Sequence, residues 1–181
     1  AGVPLQYVTG KAYFFDRLFS LNAATLIPRP ETEELVSQVL KIIGSEAKHI
    51  LDIGTGSGCI AISLALEAPQ SQVSAWDVAA EAITKAQENA SHLGAQVTFK
   101  HQDVFAWIKD SNMWDIIVSN PPYVLDAEKA EMELHVLNHE PHVALFVPDE
   151  DPLLFYRVIG EMAQERLKPG GFLCFEINRA F

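Results

Sequence analysis

The sequence predicts an α/β domain: a mostly parallel sheet with helices on both faces, preceded by a short β-hairpin. Three observations carry that prediction. Short runs rich in β-branched residues alternate with longer segments of helical period, the pattern of parallel strands joined by crossover helices. Glycine or proline punctuates many of the junctions between them. The chain of 181 residues, 49% hydrophobic, is also long enough to bury a sizeable core.

Each element follows from local chemistry. Tyr13–Phe15 and Phe19–Leu21 are the two arms expected for the hairpin. Pro30 suits a first helical position, and Glu31 and Glu33 complement the dipole of the helix it opens. Glu34 extends that acidic start. Leu35, Val36, Val39, Leu40 and Ile43 keep helical spacing until Gly44 ends the run. Strands are expected at His49–Ile53, Gln72–Asp77, Gln96–Lys100, Trp114–Ser119 and Phe172–Ile177. Helices are expected from about Gly58 to Glu67, over Ala80–Leu93 with Gly94 as its stop, and over Pro152–Leu167. Lys168–Gly171 reads as a turn, and Asp126–His142 as a polar, partly helical stretch. Residues 1–30 are then a hairpin and linker, and 31–181 the core of one domain.

Composition narrows the function. A net charge of −11 disfavours a surface that binds nucleic acid by neutralising phosphates, and favours protein or small-molecule substrates. No apolar run approaches the ~20 residues that span a bilayer, and no signal peptide opens the chain. The two cysteines, Cys59 and Cys174, form no disulfide framework, so a reducing cytoplasm is expected. The absence of an initial methionine fits a fragment, and the stop at Phe181, just past the fifth strand, exposes a sheet edge, so either a partner covers it or the sequence has been cut.

Leu51-Asp52-Ile53-Gly54-Thr55-Gly56-Ser57-Gly58 leaves a strand and opens a helix. Its glycines permit a tight turn and let a ligand approach the backbone. Cys59 stands where a dinucleotide fingerprint places its last glycine, and Asp52 sits poorly beside a pyrophosphate. Both departures point to a nucleoside bearing an amino acid, which is S-adenosylmethionine chemistry. Asp77, nineteen residues past Gly58 at the end of the next strand, suits ribose hydroxyls. Asp103, after the third strand, suits an adenine amino group, with Val104 beside the ring.

Ile116-Ile117-Val118 runs into Ser119-Asn120-Pro121-Pro122-Tyr123. Asparagine and proline cannot continue a central strand, and a residue before proline is held extended. The result is a stiff corner. Asn120 offers an amide oxygen, Pro121 and Pro122 offer carbonyls without an N–H, and Tyr123 adds a flat face. Such a corner suits a planar group that carries N–H donors.

These motifs together resemble the class I S-adenosylmethionine-dependent methyltransferases, which have a Rossmann-like fold. Within them the chain is similar to the HemK family of protein-(glutamine N5) methyltransferases that act on peptide chain release factors. Pro4-Leu5-Gln6-Tyr7, Leu26 to Glu33, Leu51 to Ala65, Ser119 to Tyr123, Glu140-Pro141 with Ala144-Leu145, and Phe175-Glu176-Ile177 carry the resemblance. It implies a family N-terminal helical domain absent here, further C-terminal strands missing after Phe181, and Asn178 where many relatives have glycine. It implies that Asp52, Gly54, Thr55, Gly56 and Gly58 hold the methionine portion, with Thr32 at its border and S-adenosylhomocysteine as product. Asn120 and the Pro121 carbonyl would accept both N–H bonds of a target glutamine, in the Gly-Gly-Gln loop of a release factor, and Tyr123 would pack on its amide. Arg29 would border the substrate entrance, and Phe14 or Phe15 would cover the site.

Other features read as structure. His135, His139, His142 and Glu140 imitate a metal cluster, but Pro141 breaks any helix, so a solvated surface is expected. Cys59 has no base near it in sequence, and Trp76, Trp107 and Trp114 suit packing or a rim. Two alternatives stay open: an amino-methyltransferase of DNA or RNA bases, which shares the Asn-Pro-Pro-Tyr chemistry, and a non-catalytic cofactor-binding module.

Overall fold

Alternating apolar residues drive short runs of the chain into one five-stranded sheet in the computed structural model, which describes residues 2–107, 112–130 and 132–178. Glu131, inside the polar stretch, and the last three residues, 179–181, lie outside the described residues. A short helix, α1 (Leu5–Thr9), comes first, ended by Gly10 in a left-handed conformation. The hairpin strands follow as β1 (Lys11–Phe14) and β2 (Arg17–Ser20), paired antiparallel. Phe15 and Asp16 both take positive φ at the tip, 49° and 60°. Two left-handed residues in a row make the tight turn whose twist suits a hairpin. The expected arms were therefore displaced, and Phe15 belongs to the turn.

Helix α2 (Pro30–Ile43) has proline in its first turn and buries Thr32, Val36, Val39 and Ile43. The alternation that follows is β3 (His49–Ile53), α3 (Cys59–Glu67), β4 (Gln72–Asp77), α4 (Ala80–Leu93) and β5 (Val97–His101). Then come β6 (Trp114–Ser119), β7 (Val124–Leu125), α5 (Leu134–His139), β8 (Phe146–Val147), α6 (Leu154–Arg166) and β9 (Leu167–Phe175). The pair β7 and β8 is a small parallel ladder that the sequence did not suggest. The turn expected at Lys168–Gly171 is instead an irregularity inside β9. Pairing with β6 jumps from Trp114↔Leu167 to Ile116↔Phe172, and Gly170 takes φ +80° between them.

The strand order is β5-β4-β3-β6-β9, and the four pairings are parallel. Side chains alternate between two apolar layers. Ile50, Val73, Ala75, Ile116 and Val118 pack with residues of α2, α3 and α4 on one face. Leu51, Ile53, Trp76 and Ile117 pack with Ile159, Met162 and Ala163 of α6 on the other. Trp76 and Trp114 meet edge to face at 6.5 Å within this second layer, a packing role. Among the described residues no helix is long and apolar enough to cross a membrane.

The chain runs outward from β3 through β4 to β5, then returns to the other side of β3 as β6. The loops after β3 and β6 therefore diverge at one sheet edge, where open α/β sheets leave a crevice. Gly58, which caps α3 with φ +84°, makes this packing possible. A Cβ there would lie 2.8 Å from Ile62 Cδ1 and 3.1 Å from Ala86 Cβ. We expect Gly58→Ala to cost about 2 kcal/mol, the sum of left-handed strain and overpacking between α3 and α4. Urea denaturation would measure it, and an unchanged midpoint would contradict it.

Candidate active site

The crevice is a cavity of about 320 Å³. Gly54 and Gly56 form one wall after β3, Asp77 and Ala79 a second after β4, Asp103 and Val104 a third after β5, and Asn120 to Pro122 a fourth after β6. The loop after β3 is tied to its neighbour, because the Gly54 and Thr55 N–H groups donate to the Trp76 carbonyl at 2.9 and 3.0 Å. The glycine loop and the diproline corner thus face one hollow.

The members of the glycine loop do different work. Gly54 and Gly56 line the cavity with φ +74° and +55°, and a Cβ on either would meet no atom within 4 Å. That is room left for a ligand against bare backbone. Gly58 is off the cavity wall, and its missing side chain serves helix packing. Asp52 and Thr55 are also off the wall, where the resemblance had set them against the methionine portion. Asp52 is fully buried under the loop and accepts a hydrogen bond from the Thr55 hydroxyl at 2.6 Å, while its Oδ1 has no partner. Burial pushes its carboxyl up to about 7, opposed by the Thr55 hydrogen bond and assisted by the charge of Asp77.

Asp77 stands at the rim of β4. Its two oxygens accept the N–H groups of Gly56 at 2.8 Å and Ala79 at 2.9 Å, which fixes the carboxylate and leaves lone pairs for hydroxyl donors. Burial raises its pKa, and those N–H bonds oppose the rise. Asp103 caps a 3₁₀ turn by accepting from the Phe105 N–H at 2.8 Å, and it also lines the cavity with Val104. Phe105 and Phe155, an edge-to-face pair at 5.2 Å, add an apolar wall with Ile159. The glycine cradle, the rim carboxylate and this apolar end fit an adenosyl group bearing an amino acid. Sequence reading missed Phe105, Phe155 and Ile159, since nothing local separates a wall aromatic from a core one.

A second hollow of about 40 Å³ adjoins the first, sharing Leu26, Asn120, Pro121 and Ala144 with it and adding Arg29, Tyr123, Val124 and Leu145. Here the diproline corner is braced from below. Asn120 Nδ2 donates to Thr32 Oγ1 at 3.2 Å, the Thr32 hydroxyl donates to Glu176 Oε2 at 2.6 Å, and the Tyr123 hydroxyl donates to Glu176 Oε1 at 3.0 Å. Burial, then the charge of Glu176, raises the Tyr123 pKa and keeps its hydroxyl protonated. Thr32 is therefore buried beneath Asn120 and off both cavity walls.

Arg29 lines this second hollow, and its Nη2 donates to Glu140 Oε1 at 2.6 Å. Glu140 Oε2 also accepts from the Ile27 N–H at 3.3 Å, so one carboxylate ties residues 27–29 to the segment around Glu140. Glu140 is 4% exposed, which corrects the expected solvated surface for this residue. Phe14 and Phe15 line neither cavity. Phe14 is buried edge-on against Phe19, and the Phe15 N–H donates to Glu33 at 2.9 Å, anchoring the hairpin to α2. Cys59 is buried, and burial pushes its thiol up to about 12, which leaves it no nucleophile.

Residues 31–143 match the family described as the methyltransferase small domain. The chain is 55% identical to a release factor glutamine methyltransferase of Bacteroides thetaiotaomicron, over 98% of this chain and 64% of that protein. It is 50% identical to one of Flavobacterium psychrophilum, over 97% of this chain and 63% of that protein. The chain thus spans less than two thirds of the length of these relatives. In fold it is similar to a 16S rRNA N2 G1207 methyltransferase of T. thermophilus solved with AdoMet and guanosine. That likeness has a TM-score of 0.61 at 18% identity, over 91% of this chain and 40% of that one.

Two measurements follow from this geometry. A buried acid with a raised pKa binds its proton more tightly folded than unfolded, so its contribution to stability is complete below about pH 4 and is lost as pH rises to about 7. Wild type should therefore lose stability relative to Asp52→Asn across that window, and a constant difference in urea midpoints would contradict it. Arg29→Ala strands the buried Glu140 charge and should cost about 3 kcal/mol, whereas Glu140→Ala leaves a partly solvated Arg29 and should cost less.

Proposed function

The chain belongs to the methyltransferase small domain family, and from that membership we propose that it transfers a methyl group from S-adenosylmethionine to a glutamine side-chain nitrogen in a peptide chain release factor. Support comes first from the close relatives named for that activity. The single structural observation that favours it is the size of the hollow at Asn120. At about 40 Å³ it has room for about three water-sized groups, the size of a carboxamide. The only cation among its lining residues, Arg29, is paired with Glu140, so it offers little to a phosphate backbone. A protein substrate met in the cytoplasm fits these features better than DNA or RNA.

When bound, S-adenosylmethionine supplies a methyl group already activated by a sulfonium. Gly54 and Gly56 cradle its amino-acid end, Asp77 accepts from the ribose hydroxyls, and Asp103, Val104 and Phe105 hold the adenine end. Asn120 Oδ1 and the Pro121 carbonyl accept the two amide N–H bonds of the glutamine, with Tyr123 and Pro122 confining its plane. Those acceptors oppose the positive charge that grows on a weakly nucleophilic amide nitrogen. Orientation supplies much of the rest, since well-placed pairs gain roughly 7–11 kcal/mol. The methylated amide loses a proton readily, so no dedicated base is needed.

Asn120→Ala should lower kcat by about 10²–10³-fold, the usual cost of losing one preorganised charge-stabilising group. Its Kd for S-adenosylmethionine should stay within about twofold. Tritium from the labelled cofactor should appear on a release factor and vanish when the glutamine of its Gly-Gly-Gln loop is replaced. Label retained after that replacement, or found in nucleic acid instead, would refute the assignment.

A further inference from the structure

Thr32, Asn120, Tyr123 and Glu176 come from three distant stretches of sequence and meet in one hydrogen-bonded chain under the diproline corner. Donor and acceptor accounting sets its direction. An ionised carboxylate only accepts, so both hydroxyls that meet Glu176 must donate to it. Thr32 has a single hydroxyl proton and directs it to Glu176 Oε2 at 2.6 Å. Thr32 Oγ1 can then only accept, and the group it accepts from is the Asn120 amide NH₂ at 3.2 Å. With its NH₂ turned toward the buried Thr32, Asn120 presents Oδ1 on the side of the two hollows whose walls it shares. Without the chain, the two ends of an asparagine amide are nearly equal in shape, and a flipped amide would set a donor against a donor.

We propose that Glu176 is a positioning residue that, through Thr32, fixes which end of Asn120 faces the substrate, and so makes the site an acceptor of N–H bonds. Its other oxygen holds the Tyr123 hydroxyl at 3.0 Å, so one carboxylate orients both side chains of the corner. Glu176 is itself held in line with β6, since its backbone N–H donates to the Ser119 carbonyl at 3.1 Å and its carbonyl accepts from the Tyr156 hydroxyl at 3.2 Å. The charge on Glu176 matters because glutamine in its place carries its own donors and permits the reverse direction along the chain. The same positioning would serve any substrate that presents an amide or amino N–H pair. For its kinetic consequences the inference rests on the glutamine transfer proposed above.

The test uses side-chain amide NMR of the protein without substrate, with the Asn120 signals identified by their loss in Asn120→Ala. In wild type these signals should exchange with solvent at least tenfold more slowly than in Glu176→Gln or Thr32→Val. Thr32→Ser, which keeps the hydroxyl, should restore most of that protection. In transfer assays, Glu176→Gln and Thr32→Val should each lower kcat at least tenfold while the Kd for S-adenosylmethionine changes less than twofold, and Thr32→Ser should recover most of the loss. The Thr32 pair carries the test even if Glu176→Gln does not fold. Unchanged Asn120 exchange in Thr32→Val, or in a folded Glu176→Gln, would overturn the inference whatever their activity. Absence of transfer by wild type would instead count against the function and leave the NMR result to judge the positioning.

Discussion

The structure depends on one pairing, the parallel register of β3 with β6 that sets Ile53 beside Ser119. Both strands end at the same edge, and the Ser119 hydroxyl donates to the Ile53 carbonyl at 2.7 Å where they part. The chain leaves one strand through glycines and the other through prolines, so the two loops move apart with opposite properties. The first offers room beside a backbone whose own N–H groups are tied to Trp76 and Asp77. The second offers carbonyls and a rigid direction. A transfer reaction between two ligands needs that contrast, because each loop selects a different partner and the shared edge sets the distance between them.

Beneath this edge lies a layer of buried and half-buried polar groups, each carboxylate holding at least one donor. Asp52 holds the glycine loop through Thr55, Glu176 holds the diproline corner through Thr32, and Glu140 holds residues 27–29 through Arg29 and the Ile27 N–H. Asp52 and Glu140 are buried and Glu176 is half-buried, and each is costly without its donors. The cost brings rigidity where geometry matters, since a satisfied polar network admits fewer arrangements than an apolar one. Apolar packing on both sheet faces supplies the stability that makes such groups tolerable.

Much of this was legible in the sequence, for identifiable reasons. The strands at His49, Gln72 and Trp114 began where expected because apolar runs bounded by punctuation are local signals. The walls at Gly54, Gly56, Asp77, Asp103 and Asn120 followed from residue types at strand ends. The hairpin register did not, because its tip uses Phe15 and Asp16 at positive φ with no glycine to mark it. The ladder through Lys168–Gly171 did not, because a prolonged bulge has the composition of a turn. Gly58 looked the same as Gly54 and Gly56 until helix α4 came against it. Glu140 read as part of a solvated surface, and the bond of Glu176 to Thr32 went unread, because Arg29 and Thr32 lie more than a hundred residues from these acids.

The central claim is geometric, and a crystal structure of the protein with S-adenosylhomocysteine and a glutamine peptide tests it most directly. The account predicts the peptide carboxamide in the smaller hollow, its nitrogen within hydrogen-bond distance of both Asn120 Oδ1 and the Pro121 carbonyl, with the cofactor sulfur on the side of Gly54 and Gly56. A carboxamide bound elsewhere, or one whose nitrogen faces away from Asn120, would contradict it.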